Sequence, residues 1–224
     1  MGCAGIILVC FPRFFLRSNS LGSLEKYVEV LGFSFILLGQ IIRVSARGYK
    51  AEHSRESQAL IQGGPYQVVR NPMYLGILLI GLGVVLAVFK LWVVVIFLIV
   101  FVIRYMLLIL KEEKKLLAVF PGAYQEYCKK VPRILPKFSS IINLDISAYL
   151  PIKISWLYKE IGSIVTLLLL VLLAVSWEGI YRLGVWVYLK GFVWLLFTFI
   201  LFIIFVILLS ERTEVKNASY TNKS

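Results

Sequence analysis

The stretch LGILLIGLGVVLAVFKLWVVVIFLIVFVIRYMLLIL, residues 75–110, determines the class of fold. It is apolar almost throughout, and its only charged residues are Lys90 and Arg104. A helix that crosses the ~30 Å hydrocarbon core of a bilayer needs about 20 apolar residues. Lys90 divides the stretch into Leu75–Phe89 and Leu91–Leu110, and so short a connection makes the two helices antiparallel neighbours. The stretch therefore predicts a transmembrane helical hairpin whose outer ends lie on the same side of the membrane.

The rest of the chain has a similar composition. Of its 224 residues, 60% are hydrophobic and 16% are charged, whereas soluble domains are about 45–50% apolar and about 25% charged. Further apolar runs occupy Tyr27–Ile42, Ile161–Trp177 and Val185–Leu209. We therefore predict an all-α, multi-pass transmembrane bundle of about five spanning helices. The apolar segment Ala4–Leu16 is either a re-entrant segment, an interfacial segment or a short first span.

Composition also predicts how the chain is divided. We expect an N-terminal apolar segment at residues 1–23 and a membrane core at 24–137. A linker at 138–160 leads to a C-terminal transmembrane hairpin at 161–210 and a polar cytoplasmic tail at 211–224.

The positive charge of the chain indicates its orientation. The formal net charge is +12, and most of the 24 Lys and Arg residues fall in the polar segments 43–70, 111–137, 138–160 and 211–224. Positive residues collect on the cytoplasmic side of membrane proteins, so these segments are predicted to face the cytoplasm. Because the charge lies in loops between apolar runs, we expect no nucleic-acid partner. His53 is the only histidine and the cysteines lack ligand spacing, so we expect no metal site.

The most informative polar stretch is GGPYQVVRNPMYLG, residues 63–76. Its glycines permit backbone conformations closed to other residues, and Pro72 suits the first turn of the helix that follows. The N-terminus of that helix exposes unpaired N–H groups, which can bind a carboxylate. A simple turn into a helix accounts for the Gly and Pro residues, but it accounts less well for Tyr66, Arg70 and Tyr74 between them.

A second group of polar residues follows the hairpin. Arg104, Leu108 and Glu112 are four residues apart and lie on nearly one helix face, with Arg104 and Glu112 ~12 Å apart along the axis. An ionisable residue within a membrane span is a candidate functional residue. Arg104 and Glu112 can therefore bind two ends of a charged ligand. The alternative is a snorkelling arginine and a solvated helix end, where Glu112 and Glu113 are balanced by neighbouring lysines.

Taken together, GPYQVVRNPMYLG, the hairpin and EEKKLLAVFPGAYQEYCKKVPRILP (residues 112–136) resemble a known group of membrane enzymes. This pattern is similar to the isoprenylcysteine carboxyl methyltransferase and phospholipid methyltransferase superfamily. Its members carry a GPYxxVRHPxYxG-like turn, a glutamate pair after the next spans and a YxxYxxxVPR ending. The resemblance covers about residues 24–137, and the hairpin 161–209 lies outside it.

The resemblance implies an enzyme that transfers a methyl group from S-adenosylmethionine to a lipophilic acceptor. The cofactor would enter a pocket from the cytoplasm, and the acceptor would enter sideways from the bilayer of the cell membrane, or of the endoplasmic reticulum in a eukaryote. The cofactor-binding residues would be Gln58, Ala59, Leu60, Ile61, Tyr66, Asn71, Pro72, Met73, Tyr74 and Glu112.

The same reading predicts roles for the remaining polar residues. We expect Arg104 and Arg133 to bind an anionic part of the acceptor. An amine or hydroxyl acceptor needs a general base, for which Glu113, Tyr74 or Tyr124 are candidates, whereas a carboxylate or thiolate needs none.

Departures from the superfamily pattern leave the acceptor open. Asn71 replaces the His of the RHP turn, and Gln58 stands where prenylcysteine enzymes have another His. The arginine that those enzymes place near the acceptor falls at Leu108, where Arg104 one turn earlier can substitute. The candidate acceptors are therefore a prenylcysteine-like carboxylate, a phospholipid amine or a small thiol. Two alternative functions are an NADPH-dependent sterol-type reductase and a non-catalytic membrane scaffold.

Overall fold

A computed structural model describes residues 23–56, 60–136 and 149–183, together with isolated helical positions between 193 and 208. All regular elements of this part of the chain are helices, which confirms the all-α class. They are α1 (Ser23–Glu56), a 3₁₀ turn (Gly64–Gln67), α2 (Pro72–Val88), α3 (Leu91–Val119), α4 (Pro121–Lys130) and α5 (Ile154–Leu183). The N-terminal segment 1–22, residues 137–148 and the tail 211–224 lie outside the described residues, as does most of the predicted span Val185–Leu209.

Three of the described helices are long and apolar enough to cross a membrane. The candidate spans are Lys26–Ser54, Leu91–Val119 and Ile154–Leu172, and Pro72–Val88 is a shorter apolar helix. Leu91–Val119 is the most apolar, with a mean hydropathy of 3.1 over 18 of its residues. The predicted hairpin is confirmed, because α2 and α3 are joined by Phe89 and Lys90 alone.

The first helix is longer than predicted. The apolar run ends at Ile42, but α1 continues to Glu56. The added part packs against the rest of the protein: Val44 and Ala46 are buried, and Arg47, one turn after Val44, binds Glu160 of α5. Partners on neighbouring helices therefore stabilise a stretch that composition alone indicates to be a polar loop. Helix α5 also begins earlier than its apolar run, at Ile154.

Helices α1 and α2 pack closely because glycines face each other along their contact. A Cβ on Gly39 would lie 2.7 Å from the carbonyl oxygen of Gly76, and one on Gly76 would lie 2.9 Å from the carbonyl oxygen of Gly39. One heptad away, Gly32 meets Gly83 in the same way. Small residues allow transmembrane helices to approach to backbone contact. This contact fixes the start of α2, and hence the preceding turn, against α1.

Replacing Gly39 with leucine should separate α1 from α2. The side chain would meet backbone atoms of α2, and overpacking of this kind costs about 1–3 kcal/mol. We expect a lower midpoint of thermal unfolding in detergent, measured by circular dichroism. Gly162→Leu is the matched control, because a Cβ on Gly162 of α5 would meet nothing within 4 Å. An equal loss of stability in both variants would contradict the proposed role of the glycine contact.

The third helix contacts α2 along an aromatic row, and most of its other apolar side chains are exposed. Phe97 packs against Gly81, Phe101 stacks on Tyr105 with ring centroids 4.1 Å apart, and Tyr105 contacts Tyr74 at 5.5 Å. The remaining apolar side chains of α3 are largely exposed, as expected of a helix face in contact with lipid. The hairpin places Tyr74 beside the C-terminal, polar part of α3.

The largest apolar core joins α1, the end of α2 and α5. Its buried members are Ile36, Val44, Ala87, Val88, Trp156, Ile164, Leu168 and Val171.

Candidate functional site

The stretch between α1 and α2 folds as a compact turn against α1. Gly64 has a φ of +55°, a left-handed conformation that glycine adopts without steric cost. Its backbone lies against the ring of Tyr49. The hydroxyl of Tyr66 donates a hydrogen bond of 3.4 Å to the carbonyl of Ala46 in α1. Pro72 occupies the first turn of α2, so the turn leads directly from α1 into the hairpin.

The segment after α4 attaches to this turn through the backbone. The N–H of Arg70 donates to the carbonyl of Pro132 at 2.8 Å, and the N–H of Asn71 donates to the carbonyl of Arg133 at 3.1 Å. The hydroxyl of Tyr127 donates to the carbonyl of Tyr66 at 2.6 Å. The two sequence patterns that flank the hairpin, separated by about 60 residues of chain, therefore form one local structure.

Glu113 lies at the centre of an ion-pair network. Its carboxylate accepts two hydrogen bonds from Arg133, at 3.0 Å from Nε and 2.8 Å from Nη2. Nη1 of Arg70 lies 3.1 Å from the same carboxylate. Glu113 is only 7% exposed, so the two guanidinium groups compensate a carboxylate that is largely removed from water. Glu113 thus joins α3, the turn and the segment after α4.

The neighbouring glutamate has a different environment. Glu112 is exposed, and its Oε1 accepts a hydrogen bond of 2.8 Å from the hydroxyl of Tyr74. Tyr74 is in the first turn of α2, which begins at Pro72. Glu112 is therefore oriented by a single neutral donor and keeps its capacity to accept further hydrogen bonds.

A cavity of about 140 Å³ opens where these elements meet. Its walls come from α1, the turn, the end of α3 and α4. The lining residues are Lys50, Leu60, Ile61, Tyr66, Arg70, Asn71, Glu112, Glu113, Leu116, Phe120, Tyr124 and Tyr127. A larger cavity lies between α1 and α5, but no residue of the turn or of the glutamate pair lines it. We therefore take the smaller cavity as the candidate site.

Tyrosines of the cavity are held as neutral donors. Burial, with the charge of Glu112 as a smaller cause, raises the pKa of Tyr66. Burial also raises the pKa of Tyr127. Burial followed by the charge of Glu113 raises the pKa of Tyr124 to about 12. All three hydroxyls consequently keep their protons throughout the physiological range, which makes them hydrogen-bond donors and not bases.

The raised pKa of Tyr124 predicts a loss of stability at alkaline pH. Its ordinary value is 10.0, and the folded value is about 12. The neutral phenol stabilises the fold fully below pH 10, and this contribution is lost as the pH rises from 10 to 12. We expect Tyr124→Phe to show a smaller fall in unfolding temperature across that window than wild type. Tyr158→Phe, at an exposed position of α5, should follow wild type; identical curves for all three proteins would contradict the prediction.

The structure brings most of the predicted site residues together. Among them, the cavity is lined by Leu60, Ile61, Tyr66, Asn71, Glu112 and Glu113. Pro72, Met73 and Tyr74 form the first turn of α2 beside it, and Tyr74 contacts the lining through Glu112. Arg133 does not line the cavity but binds Glu113, which does. Gln58 and Ala59 lie outside the described residues.

Arg104 lies apart from the cavity. It is exposed on α3, and no hydrogen bond or ion pair joins it to another residue in the described part of the chain. Its helical spacing to Glu112 correctly predicts proximity along the axis, but the lining of the cavity does not include it.

Four lining residues were not predicted from the sequence. They are Lys50, Leu116, Phe120 and Tyr127. Leu116 lies one turn after Glu112 and Phe120 two turns after it, so helical spacing from Glu112 would have identified them. Lys50 could not be placed without knowing that α1 continues beyond Ile42.

Comparison with known proteins provides an independent assignment. A sequence model described as phospholipid methyltransferase matches residues 5–122, about half of the chain. No curated protein and no solved structure gives a significant match. The matched residues include the turn, the hairpin and the glutamate pair. The family is membrane-bound, and membership in it implies methyltransferase activity on lipid-like substrates. The chain belongs to the phospholipid methyltransferase family.

Proposed function

We propose that this protein transfers a methyl group from S-adenosylmethionine to a lipophilic acceptor at the cytoplasmic face of the membrane. The observation that carries the proposal is the convergence of Tyr66, Asn71 and Glu112 on one cavity. These residues come from the two motifs on which the resemblance rests, and they belong to elements that are distant in sequence. The basic loops around the cavity support its cytoplasmic orientation.

The chemical character of the cavity fits the cofactor. The Nε of Arg70 is buried and has no hydrogen-bond partner among the described residues. A buried donor without a partner costs free energy, so a ligand carboxylate that pairs with it would stabilise the complex. Lys50 adds a second cation to the lining. Glu112 supplies an acceptor for ribose hydroxyls or for the ligand's ammonium group.

The apolar part of the lining suits a purine ring. Leu116 lies one turn after Glu112 on α3, Phe120 follows the end of that helix, and Ile61 also borders the cavity. Small-molecule sites generally have volumes of ~300–1,000 Å³, whereas this cavity has about 140 Å³. We infer that the cavity encloses part of the cofactor and that the remainder extends past its open side.

The cofactor, when bound, would supply an electrophilic methyl group on a sulfonium, so the protein need not form a bond to the methyl group itself. An amine acceptor would release one proton in the reaction, which solvent or the exposed carboxylate of Glu112 can accept. The residues of the chain hold donor and acceptor in contact and exclude water from between them. Glu113 has a positioning role in this proposal, because its carboxylate is already occupied by Arg70 and Arg133. It fixes the turn and the segment after α4 around the cavity, and we do not propose it as a general base.

The acceptor would approach from the bilayer along α3. The apolar side chains of this helix are exposed, including Ile103 and Leu107 next to Arg104. Arg104 is therefore placed to bind an anionic group of a membrane-embedded molecule. Arg133 remains a second candidate, since its side chain is 38% exposed although Glu113 occupies one edge of the guanidinium.

Ligand binding tests the proposal. Calorimetric titration of the purified protein in detergent compares S-adenosylmethionine, S-adenosylhomocysteine and NADPH. We expect saturable binding of the first two ligands and none of NADPH. Binding of NADPH alone would favour the reductase, and binding of none of the three would favour the non-catalytic scaffold.

A further inference from the structure

A second cavity, of about 480 Å³, opens between α1 and the first turns of α5. We call it the α1–α5 cleft. It is lined by Val44, Arg47, Gly48, Ala51, Glu52, Ser155, Trp156, Lys159 and Glu160. Helix α5 lies beyond residue 122, where the family match ends. The methyl-transfer proposal does not use this cleft.

Both carboxylates of the cleft are paired with cations. Glu160 is 9% exposed, accepts a hydrogen bond of 2.5 Å from Arg47 and lies 3.9 Å from Arg43. Glu52 pairs with Lys153 at 2.5 Å. These ion pairs connect α1 to α5 and to the residue before it, and they leave neither carboxylate free to repel an anion.

Positive charge is in excess around the cleft. Lys159 is exposed and lines the cleft, and it forms no ion pair within the described part of the chain. Counting Arg43 and Lys153 with the lining residues, four cationic side chains face two carboxylates. Ser155 adds an exposed hydroxyl. An anion with several oxygen acceptors matches this set of donors.

The inner wall of the cleft is apolar. The indole of Trp156 is buried and occupies the space that a side chain at position 48 would need, so Gly48 is required for this packing. Val44 and Ala51 extend the same wall. A ligand that combines an anionic group with an apolar portion can contact both the cationic side chains and the apolar inner wall, whereas a free ion can contact only the cationic side chains.

The cleft lies where two candidate membrane spans have their polar ends. Lys26–Ser54 ends beside it, and Ile154–Leu172 begins beside it. Lipid headgroups are found at this level of a bilayer. Basic pockets between transmembrane helices bind the headgroups of anionic lipids.

We propose that the α1–α5 cleft binds the phosphate headgroup of an anionic phospholipid. Lys159 and the outer edge of Arg47 contact the phosphate, and the glycerol portion lies against Trp156. Helix α1 separates this site from the methyl-transfer cavity, because Lys50 faces the cavity whereas Arg47 and Gly48 face the cleft. The lipid site is therefore independent of whether the cavity binds S-adenosylmethionine.

Native mass spectrometry of the full chain in detergent tests this site. The protein is titrated with dihexanoyl phosphatidylglycerol, and parallel titrations use dihexanoyl phosphatidylcholine and inorganic phosphate. We expect saturable binding of one phosphatidylglycerol. Removal of one interfacial cation weakens binding about fivefold, so Lys159→Gln should show this loss. Lys115→Gln removes an exposed lysine of α3 and should bind as wild type does.

Three results would overturn the proposal. The first is the absence of saturable phosphatidylglycerol binding to wild type. The second is an equal loss of affinity in Lys159→Gln and Lys115→Gln. The third is binding of phosphatidylcholine or inorganic phosphate as tight as that of phosphatidylglycerol. Because Lys159 is exposed and has no partner among the described residues, its replacement should leave the fold intact, and unchanged thermal unfolding of the variant verifies this.

Discussion

Replacement of Glu113 with alanine is expected to lower the free energy of unfolding by about 3–5 kcal/mol, because removing one member of a buried ion pair leaves the other uncompensated. Here two guanidinium groups would lose their shared carboxylate. The unpaired charge of Arg70 should cost more free energy than that of Arg133, because the Arg70 side chain is 12% exposed and the Arg133 side chain is 38% exposed. For a chain of this size the loss corresponds to a fall in Tm of roughly 10 °C.

Thermal unfolding in detergent, followed by circular dichroism, measures this loss. Glu113→Gln should fall between wild type and Glu113→Ala, because the amide keeps one acceptor but no charge. Glu126→Ala is the matched control, since it removes an exposed acid from α4. A Tm of Glu113→Ala within 2 °C of the Glu126→Ala value, a margin small against the roughly 10 °C expected, would show that the network does not hold the site together.

Replacement of the adjacent Glu112 should have the opposite effect, with weaker cofactor binding and little loss of stability. Glu112→Ala is expected to weaken S-adenosylmethionine binding about 10–100-fold, since hydrogen bonds to a charged group contribute about 1.5–3 kcal/mol. Its effect on stability should be small, because Glu112 is exposed and accepts its hydrogen bond from the neutral hydroxyl of Tyr74. Calorimetric titration and thermal unfolding of the same preparation separate the two effects.

Two comparisons make this prediction specific. Tyr74→Phe removes the group that orients Glu112 and should weaken binding only severalfold, with the carboxylate still present. Lys114→Ala changes an exposed neighbour on α3 and should bind as wild type does. Unchanged affinity in Glu112→Ala would exclude Glu112 from the cofactor site and remove the main support for its position.

Much of the fold follows from local sequence. The apolar stretch interrupted by Lys90 correctly predicts the α2–α3 hairpin, because a short connection between two long apolar helices allows only antiparallel packing. The extension of α1 could not be predicted in this way. Its polar residues are stabilised by partners on α5, such as Glu160 for Arg47, and such tertiary contacts leave no local pattern.

The candidate site shows the same division. The turn and the glutamate pair are recognisable as motifs, and their convergence follows from the hairpin. The sequence EE does not reveal that Glu113 points toward two arginines whereas Glu112 stays exposed, since only the rotation of α3 against the turn distinguishes them. The contribution of Lys50 likewise depends on the continuation of α1.

Methyl transfer into lipid tests the central proposal most directly. Proteoliposomes made from a membrane-lipid extract rich in phosphatidylethanolamine are incubated with S-adenosylmethionine labelled at the methyl group, and the organic phase is counted. We predict labelled lipid with wild type and at least about tenfold less with equally folded Glu112→Ala. Wild-type counts no higher than those of empty vesicles, or equal labelling by the two proteins, would contradict the proposal that this cavity transfers methyl groups to a membrane lipid.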